Sequence, residues 1–434
     1  MLLKSKLREG QLSTPTTAQN RAISPFQFLT SIEFWVILLV VAASMVAPRL
    51  LPVAVLLGLA YWPIRWIARG RPSVRTPLDL SIVLLALTIP ATLWATALPE
   101  ITLAQVYRLL SGFVLFYAIV NWARTRGRLR LVTAAGLAAG LFLALFATLS
   151  VVWPNGKLPF IPAGLYGRFQ LLVADTIHPN VLAGSLALLI PLGLGLLLFA
   201  WRQIGWSERS LVVLAVLGML AIIGLTQSRG AWLGVLAALL LLLLLRFRWG
   251  WVLIMLGCVA AGYVFYRSGT GRMLEAMTAT NTISSLEGRE EIWSRAIYML
   301  QDFPYTGIGM GSFTRVADVL YPFFLFSPGK IDHAHNLFLQ VGVDLGIPGL
   351  IAWLSLLLLV ISQARQLYRK GCKSGDGLAI GIGAGLLGGQ VALVVHGLTD
   401  AVVWGMVRSA PLVWLLWGLT VAAWDRYGRD PAAA

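Results

Sequence analysis

The sequence predicts an all-α polytopic membrane protein with about twelve transmembrane helices and a large outer loop between the ninth and tenth. Composition and run length both predict it. The 434-residue chain is 58% hydrophobic and 12% charged, more apolar than a soluble core of that size needs. Its apolar residues gather in runs of about 20, the length at which a helix crosses a bilayer. The short alternating segments of a β-barrel are absent.

The runs fall near 33–48, 50–64, 78–97, 101–122, 130–152, 181–201, 209–226, 230–245, 249–266, 347–364, 377–395 and 402–423. Charge then orients them. The net charge is +16, but the basic residues are placed by topology. Lys4, Lys6, Arg8 and Arg21 precede the first run, Arg65 to Arg75 follow the second, and Arg124 to Arg130 follow the fourth. The same side receives Arg202, Arg209, Arg246, Arg248, Arg365 to Lys373, Arg426 and Arg429. That is the positive-inside pattern, so both termini are expected in the cytoplasm of a multi-pass membrane protein. Topology explains the basic excess, and a nucleic-acid partner is not needed. Cys258 and Cys372 imply neither a disulfide nor a metal site.

Four segments are expected: a basic tail (1–30), helices one to nine (31–266), the outer loop (267–336), and a half-helix with helices ten to twelve (337–425). The first 25 residues lack an apolar core, so they do not read as a cleavable signal. A second long outer loop runs from about Pro154 to Asn180. Within the large loop, Glu287–Pro304 reads as a helix with Ile292, Ala296, Met299 and Leu300 on one stripe. The glycine-rich Thr306–Phe313 follows it and is a weak phosphate signal.

The stretch Asp332–Leu350, DHAHNLFLQVGVDLGIPGL, holds two of the four histidines. Asp332 is expected to cap a helix ending at Gly346. About 12 residues make a helix roughly 18 Å long, too short to span, so it reads as re-entrant. Asn336, Gln340 and Asp344 recur every fourth residue, and this polar face is expected to look into a wet cavity.

Ionisable residues at membrane depth are candidates for function by default. Arg229, in TQSRGAWLG, sits where two runs meet. Arg289 opens the loop helix, and an i, i+4 surface ion pair is its ordinary alternative. Arg168 and Arg408 read first as structural or headgroup-snorkelling arginines, with a functional role as the alternative, and Arg108 as a partner of Asp400, of a backbone carbonyl, or of a ligand. His335 would face the cavity. His333 reads as a solvated loop histidine, and His396 with Asp400 as a packing pair. Arginines bind phosphate bidentately, and a histidine can take a proton from a hydroxyl. That set suits displacement of a diphosphate by a hydroxyl. No DxD motif, His/Cys cluster or Walker loop stands out, so no metal and no cofactor is called for.

The string HNLFLQVGVDLGIPG, with His335, Asn336, Gly346 and Gly349, resembles the motif of the O-antigen ligase family. TQSRGAWLG and GREEIW…DFPYTGIGMGSF resemble its outer arginine segment and the start of its large loop. The resemblance covers roughly residues 160–420. It implies a metal-independent, inverting glycosyltransferase of the GT-C kind. The donor would be an undecaprenyl-diphosphate-linked glycan, and the acceptor a hydroxyl of lipid A core, another glycan or a protein. The reaction would serve lipopolysaccharide or another cell-envelope polysaccharide. By the same resemblance His335 is the catalytic base, and Arg229 and Arg289 hold the diphosphate; Arg168, in YGRFQ of the first long outer loop, is a further diphosphate candidate. Asn336, Gln340, His333, Arg108, His396 and Asp400 are supporting residues, and His333 leaves the choice of base open. The superfamily also contains O-antigen polymerases, protein O-oligosaccharyltransferases and proteins once taken for bicarbonate transporters, so a small-anion transporter is the rival of another class.

Overall fold

The computed structural model describes residues 24–153, 177–267, 286–401, 403–405 and 407–427. Within them the chain is helical, and no sheet forms. Nine of the described helices are long and apolar enough to cross a membrane. A shorter apolar helical stretch, Asp79–Ala95, covers the third expected run.

The first helix, α1 (Pro25–Val46), opens with a capping box in which Ser24 Oγ accepts from the Gln27 N–H. It starts before the expected run and packs against α2 (Leu51–Arg69) and α5 (Pro99–Trp122). Between these lie two short helices, α3 (Asp79–Leu87) and α4 (Ile89–Ala95). The third apolar run is therefore broken at Thr88, just before Pro90, which can offer no N–H to the helix ladder. Next come α6 (Arg126–Ser150), α7 (Pro179–Gly195), α8 (Trp206–Thr226), α9 (Arg229–Arg246) and α10 (Gly250–Arg267). Two loop helices, α11 (Leu286–Asp302) and α12 (Phe313–Leu320), precede α13 (Leu337–Ser374), α14 (Gly377–Gly397) and α15 (Pro411–Tyr427).

Glycine-rich α14 is the hub, packed on α7, α9 and α13. Small residues allow the close approach: a Cβ on Gly195 of α7 would lie 2.4 Å from the Gly381 carbonyl oxygen. Without a hydrophobic drive between helices in lipid, backbone proximity of this kind supplies much of the packing. The last expected run is shorter than its sequence suggests. The described residues among 401–410 are irregular, and helix resumes only at Pro411, so Arg408 lies outside any described helix.

The expected break after the half-helix is present. Gly346 has φ 72° and ψ −177°, and it separates a helical stretch starting at Leu337 from the long remainder of α13. The cap is a correction. Asn336, not Asp332, caps the helix, its Oδ1 accepting from the N–H groups of Phe338 and Leu339. The half-helix is thus shorter than the sequence implied. Its broken end is held by the segment after α11: the Ile347 N–H donates to Pro304 O at 2.7 Å, and the Ile308 N–H to Val343 O at 2.9 Å. The glycines of that segment serve this docking, because a Cβ on Gly307 would lie 2.5 Å from the Asp344 carbonyl carbon.

Gly346 and Gly375 both have positive φ, but a Cβ at Gly375 meets nothing within 4 Å, while one at Gly346 would lie 2.8 Å from Pro304 O. We expect Gly375→Ala to cost about 1 kcal/mol and Gly346→Ala about 3 kcal/mol or more. Thermal unfolding in detergent checks the order, and a smaller shift for Gly346→Ala contradicts the docking.

Candidate functional site

The loop before Asn336 is shaped by its own polar groups. Gln340 reaches back so that its Oε1 accepts from the Ala334 N–H at 2.7 Å. His335 takes a left-handed conformation, φ 46°, which costs on the order of 1 kcal/mol in a non-glycine residue. That conformation brings its N–H to His333 Nδ1 at 3.1 Å and sets the two rings 4.2 Å apart between centroids.

Both rings converge on Asp400, just beyond the end of α14. His333 Nε2 lies 3.5 Å and His335 Nδ1 3.6 Å from Asp400 Oδ1, which also accepts the Ala401 N–H at 2.8 Å. Because His333 Nδ1 is an acceptor, its proton sits on Nε2, facing the carboxylate. His335 presents Nδ1 to the same oxygen, and its Nε2 has no hydrogen-bond partner among the described residues. The three side chains, with donor atoms within 4.8 Å of one another, are also a group that could hold a cation. The sequence showed no such cluster, because Asp400 lies far along the chain from the histidines.

The electrostatics follow from burial and neighbours. Desolvation lowers the His333 pKa to about 4, with His335 acting in the same direction and Asp400 against it. Burial pushes the Asp400 carboxyl up, but the His335 hydrogen bond and the charges of His333, His335 and His396 outweigh it and hold the group below the ordinary carboxylate range. Burial lowers the Arg289 pKa, Asp400 opposes this, and Arg229 adds to it. A guanidinium stays charged through such shifts.

These residues wall a cavity of about 790 Å³. All four histidines of the chain line it. Arg229, Arg289 and Asp400 join them at the polar end. Arg229 is the first residue of α9, so the N-terminus of that helix also faces the cavity, where the macrodipole favours an anion. Gly230 permits the approach: its Cβ would lie 2.3 Å from Thr399 Oγ1. Arg289 makes no ion pair with its own helix and donates to Thr399 O at 2.8 Å. The helical pair in α11 is instead Arg295 with Glu291, at 3.8 Å. The other end of the cavity is apolar, with Val41 and Met45 from α1, Leu115 from α5 and Phe142 and Phe146 from α6.

Several expected residues sit elsewhere. Gln340 and Asp344 are buried and face protein, not the cavity. The Asp344 carboxylate accepts from Gln340 Nε2 at 3.0 Å, Trp404 Nε1 at 2.8 Å and the Gly311 N–H at 3.4 Å. Asn336 is occupied as a cap and donates to Leu398 O. The repeat of polar residues was right, and the partner was protein. Arg108 donates to the Gly405 carbonyl at 2.8 Å and is not among the cavity residues, which is the backbone alternative. His333 is half-buried in the cluster and not a solvated loop residue. Asp400 pairs with the loop histidines, while His396 lines the cavity beside it with Nδ1 buried and unsatisfied. Arg168 lies outside the described residues. The sequence reading missed His178, the N-cap of α7, whose Nδ1 accepts from the Asn180 N–H. Its only signal was scarcity, as one of four histidines beside a helix-starting proline.

The two shifts predict how stability depends on pH. His333 is below its ordinary value of 6.5, so between about 4 and 6.5 the unfolded chain binds the proton that the folded chain refuses. Asp400 is also lowered, so its contribution is lost only at lower pH, as the unfolded carboxyl protonates. The melting temperature should fall as pH drops from 6.5 towards 4, and His333→Gln should flatten that slope. A melting temperature that rises on acidification contradicts the assignment.

Residues 214–354 match the family model described as O-antigen ligase. No curated protein matches the chain. The matched segment contains Arg229, Arg289, His333 and His335, while Asp400, His178 and His396 lie outside it. Over residues 214–354 the chain therefore carries the domain of the O-antigen ligase family.

Proposed function

We propose that the protein transfers a glycan from an undecaprenyl-diphosphate carrier to an acceptor hydroxyl on the outer face of the bacterial inner membrane. The family match supports a glycosyltransferase-like enzyme acting on glycan and lipid. The observation that carries the finer reading is the single cavity in which a His335–Asp400 pair faces Arg229 and Arg289 while the far wall is apolar. A lipid diphosphate has that same division, an apolar tail joined to a doubly charged head.

In this reading the tail lies along α1 and α6, and the diphosphate meets Arg229, Arg289 and the N-terminus of α9. Arg168 is a third candidate for the same head group. The acceptor hydroxyl gives its proton to His335 Nε2 as its oxygen bonds to the anomeric carbon. The bond from that carbon to the diphosphate breaks, and its electron pair leaves with undecaprenyl diphosphate. Attack opposite the leaving group inverts the anomeric centre. Asp400 fixes the proton of His335 on Nδ1 and stabilises the imidazolium that forms, leaving Nε2 as the base. His333 is engaged at both nitrogens, so it positions Asp400 and is not the base. The arginines offset charge growing on the leaving group, which needs no metal. Twelve membrane crossings, cytoplasmic termini and an outer 267–336 loop complete the topology.

The direct test reconstitutes the protein with an undecaprenyl-diphosphate glycan and a lipid A core acceptor, followed by mass analysis. Glycan on the core oligosaccharide supports a ligase, and longer carrier-linked chains indicate a polymerase. Neither product, with solute movement across the vesicle, selects the transporter. Activity should persist in EDTA, and its loss would assign a metal to the His333, His335 and Asp400 cluster.

His335→Ala should slow transfer by roughly 100- to 10,000-fold, the range for a general base. Donor binding should change little. His333→Ala should slow transfer less. The reverse ranking of the two histidines contradicts the assignment. For topology, Phe324 is 87% exposed in the loop after α12. With Cys258 and Cys372 replaced by serine, Phe324→Cys should react with an impermeant thiol reagent from outside. Labelling only after lysis contradicts the orientation.

A further inference from the structure

His333, His335 and Asp400 offer a use beyond proton transfer. Among the described residues they are the one group of three such side chains placed to share a cation, with ligand atoms all within 4.8 Å of one another. His333 Nε2 is 3.5 Å and His335 Nδ1 3.6 Å from Asp400 Oδ1. A tetrahedral metal with bonds of about 2.0–2.1 Å holds its ligand atoms about 3.4 Å apart. Neighbouring ligands in an octahedral or square-planar shell with the same bonds lie only about 2.9 Å apart. The cluster has the wider, tetrahedral spacing. A modest swing of the two half-buried rings would seat all three atoms around one ion and leave its fourth position to water.

The donor set selects the metal. Two imidazoles and one carboxylate suit zinc, whereas magnesium and calcium prefer all-oxygen shells and copper(II) a tetragonal one. The surroundings limit the affinity. Arg229 and Arg289 line the same cavity and oppose a dication, while the acids Asp332 and Asp400 favour it. Binding also costs a hydrogen bond. A neutral imidazole that gives one nitrogen to a metal keeps its proton on the other. His333 Nδ1 would then carry a proton and could not accept the His335 N–H, as it does at 3.1 Å. An ion held on these terms is exchangeable and not a structural fixture.

The same rule decides what the metal does to His335. With Nδ1 on the metal, the ring proton moves to Nε2. Both rings stay neutral, each having passed one proton between its own nitrogens through water, and no proton is released. We propose that zinc binds reversibly to His333, His335 and Asp400 and switches the site off, by turning His335 Nε2 from a proton acceptor into a donor. The inhibition rests on the base reading above, and the binding does not. Zinc also ties the loop before α13 to the end of α14, so it stabilises the fold by mass action.

The test titrates Co2+ into tag-free purified protein and then displaces it with Zn2+. Tetrahedral Co2+ shows intense visible bands that the octahedral aqua ion lacks. These bands should appear for a single bound ion and vanish as zinc replaces it, and zinc should raise the melting temperature of the native protein. His333→Gln and Asp400→Asn should each weaken the metal by about tenfold or more. His178→Gln, elsewhere on the cavity wall, should leave the affinity unchanged. A purely octahedral spectrum in native protein, which needs no variant to fold, overturns the proposal. So does an affinity that falls as far in His178→Gln as in Asp400→Asn. In the reconstituted reaction, saturating zinc should slow transfer by roughly 100-fold or more, the lower bound for losing a general base, and EDTA should restore it. Zinc bound at the cluster with transfer unchanged overturns the inhibition, and the base role of His335 with it. Loss of transfer in EDTA alone makes the metal a cofactor and overturns the inhibition as well. Absence of transfer with and without EDTA overturns the donor reading instead, and the cobalt spectrum still decides the metal site.

Discussion

The carboxylate of Asp400, 5% exposed, is the constraint on which the site depends. Its Oδ1 is reached by the Ala401 N–H, by His333 Nε2 and by His335 Nδ1. A buried charge of this kind is tolerable only when such partners replace its water. In return it sets the tautomers of both rings and anchors the loop before α13 to the end of α14. Arg289 is tied to the same corner through the Thr399 carbonyl. One carboxylate thus aligns a candidate base and a candidate phosphate ligand that come from separate loops.

The geometry around it is maintained by groups that never enter the cavity. Asn336 caps the half-helix, Gln340 braces the histidine loop at Ala334, and Asp344 gathers Trp404 and Gly311. The break at Gly346 receives the loop after α11, so the loop helices and the half-helix form one unit. His335 can then occupy a left-handed conformation that an unsupported loop would relax.

The sequence revealed the parts whose signal is local. Apolar run length pointed to the helical membrane class, the Gly-Ile-Pro-Gly string marked the break, Arg229 and His335 were candidates as charged or titratable residues beside apolar stretches, and Arg289 as an arginine opening the helix of the large loop. What it concealed was pairing. Gln340 and Asp344 repeat at the helical period whether they face water or protein, and only their partners Ala334 and Trp404 decide between the two. Asp400 looked like a mate for His396 because the two share one turn, while its true partners approach from a distant loop. The third and last apolar runs looked like full spans because hydropathy does not register the interruption at Thr88 or the irregular backbone through Arg408.

The central claim is that Asp400 acts through His335 on the chemical step and not on the donor. Single-turnover transfer and donor affinity should therefore be measured side by side in Asp400→Asn, which keeps the shape and removes the charge. The account predicts a rate lower by roughly two orders of magnitude or more with donor affinity nearly unchanged. Transfer at the native rate, or donor binding lost in step with the rate, would contradict it.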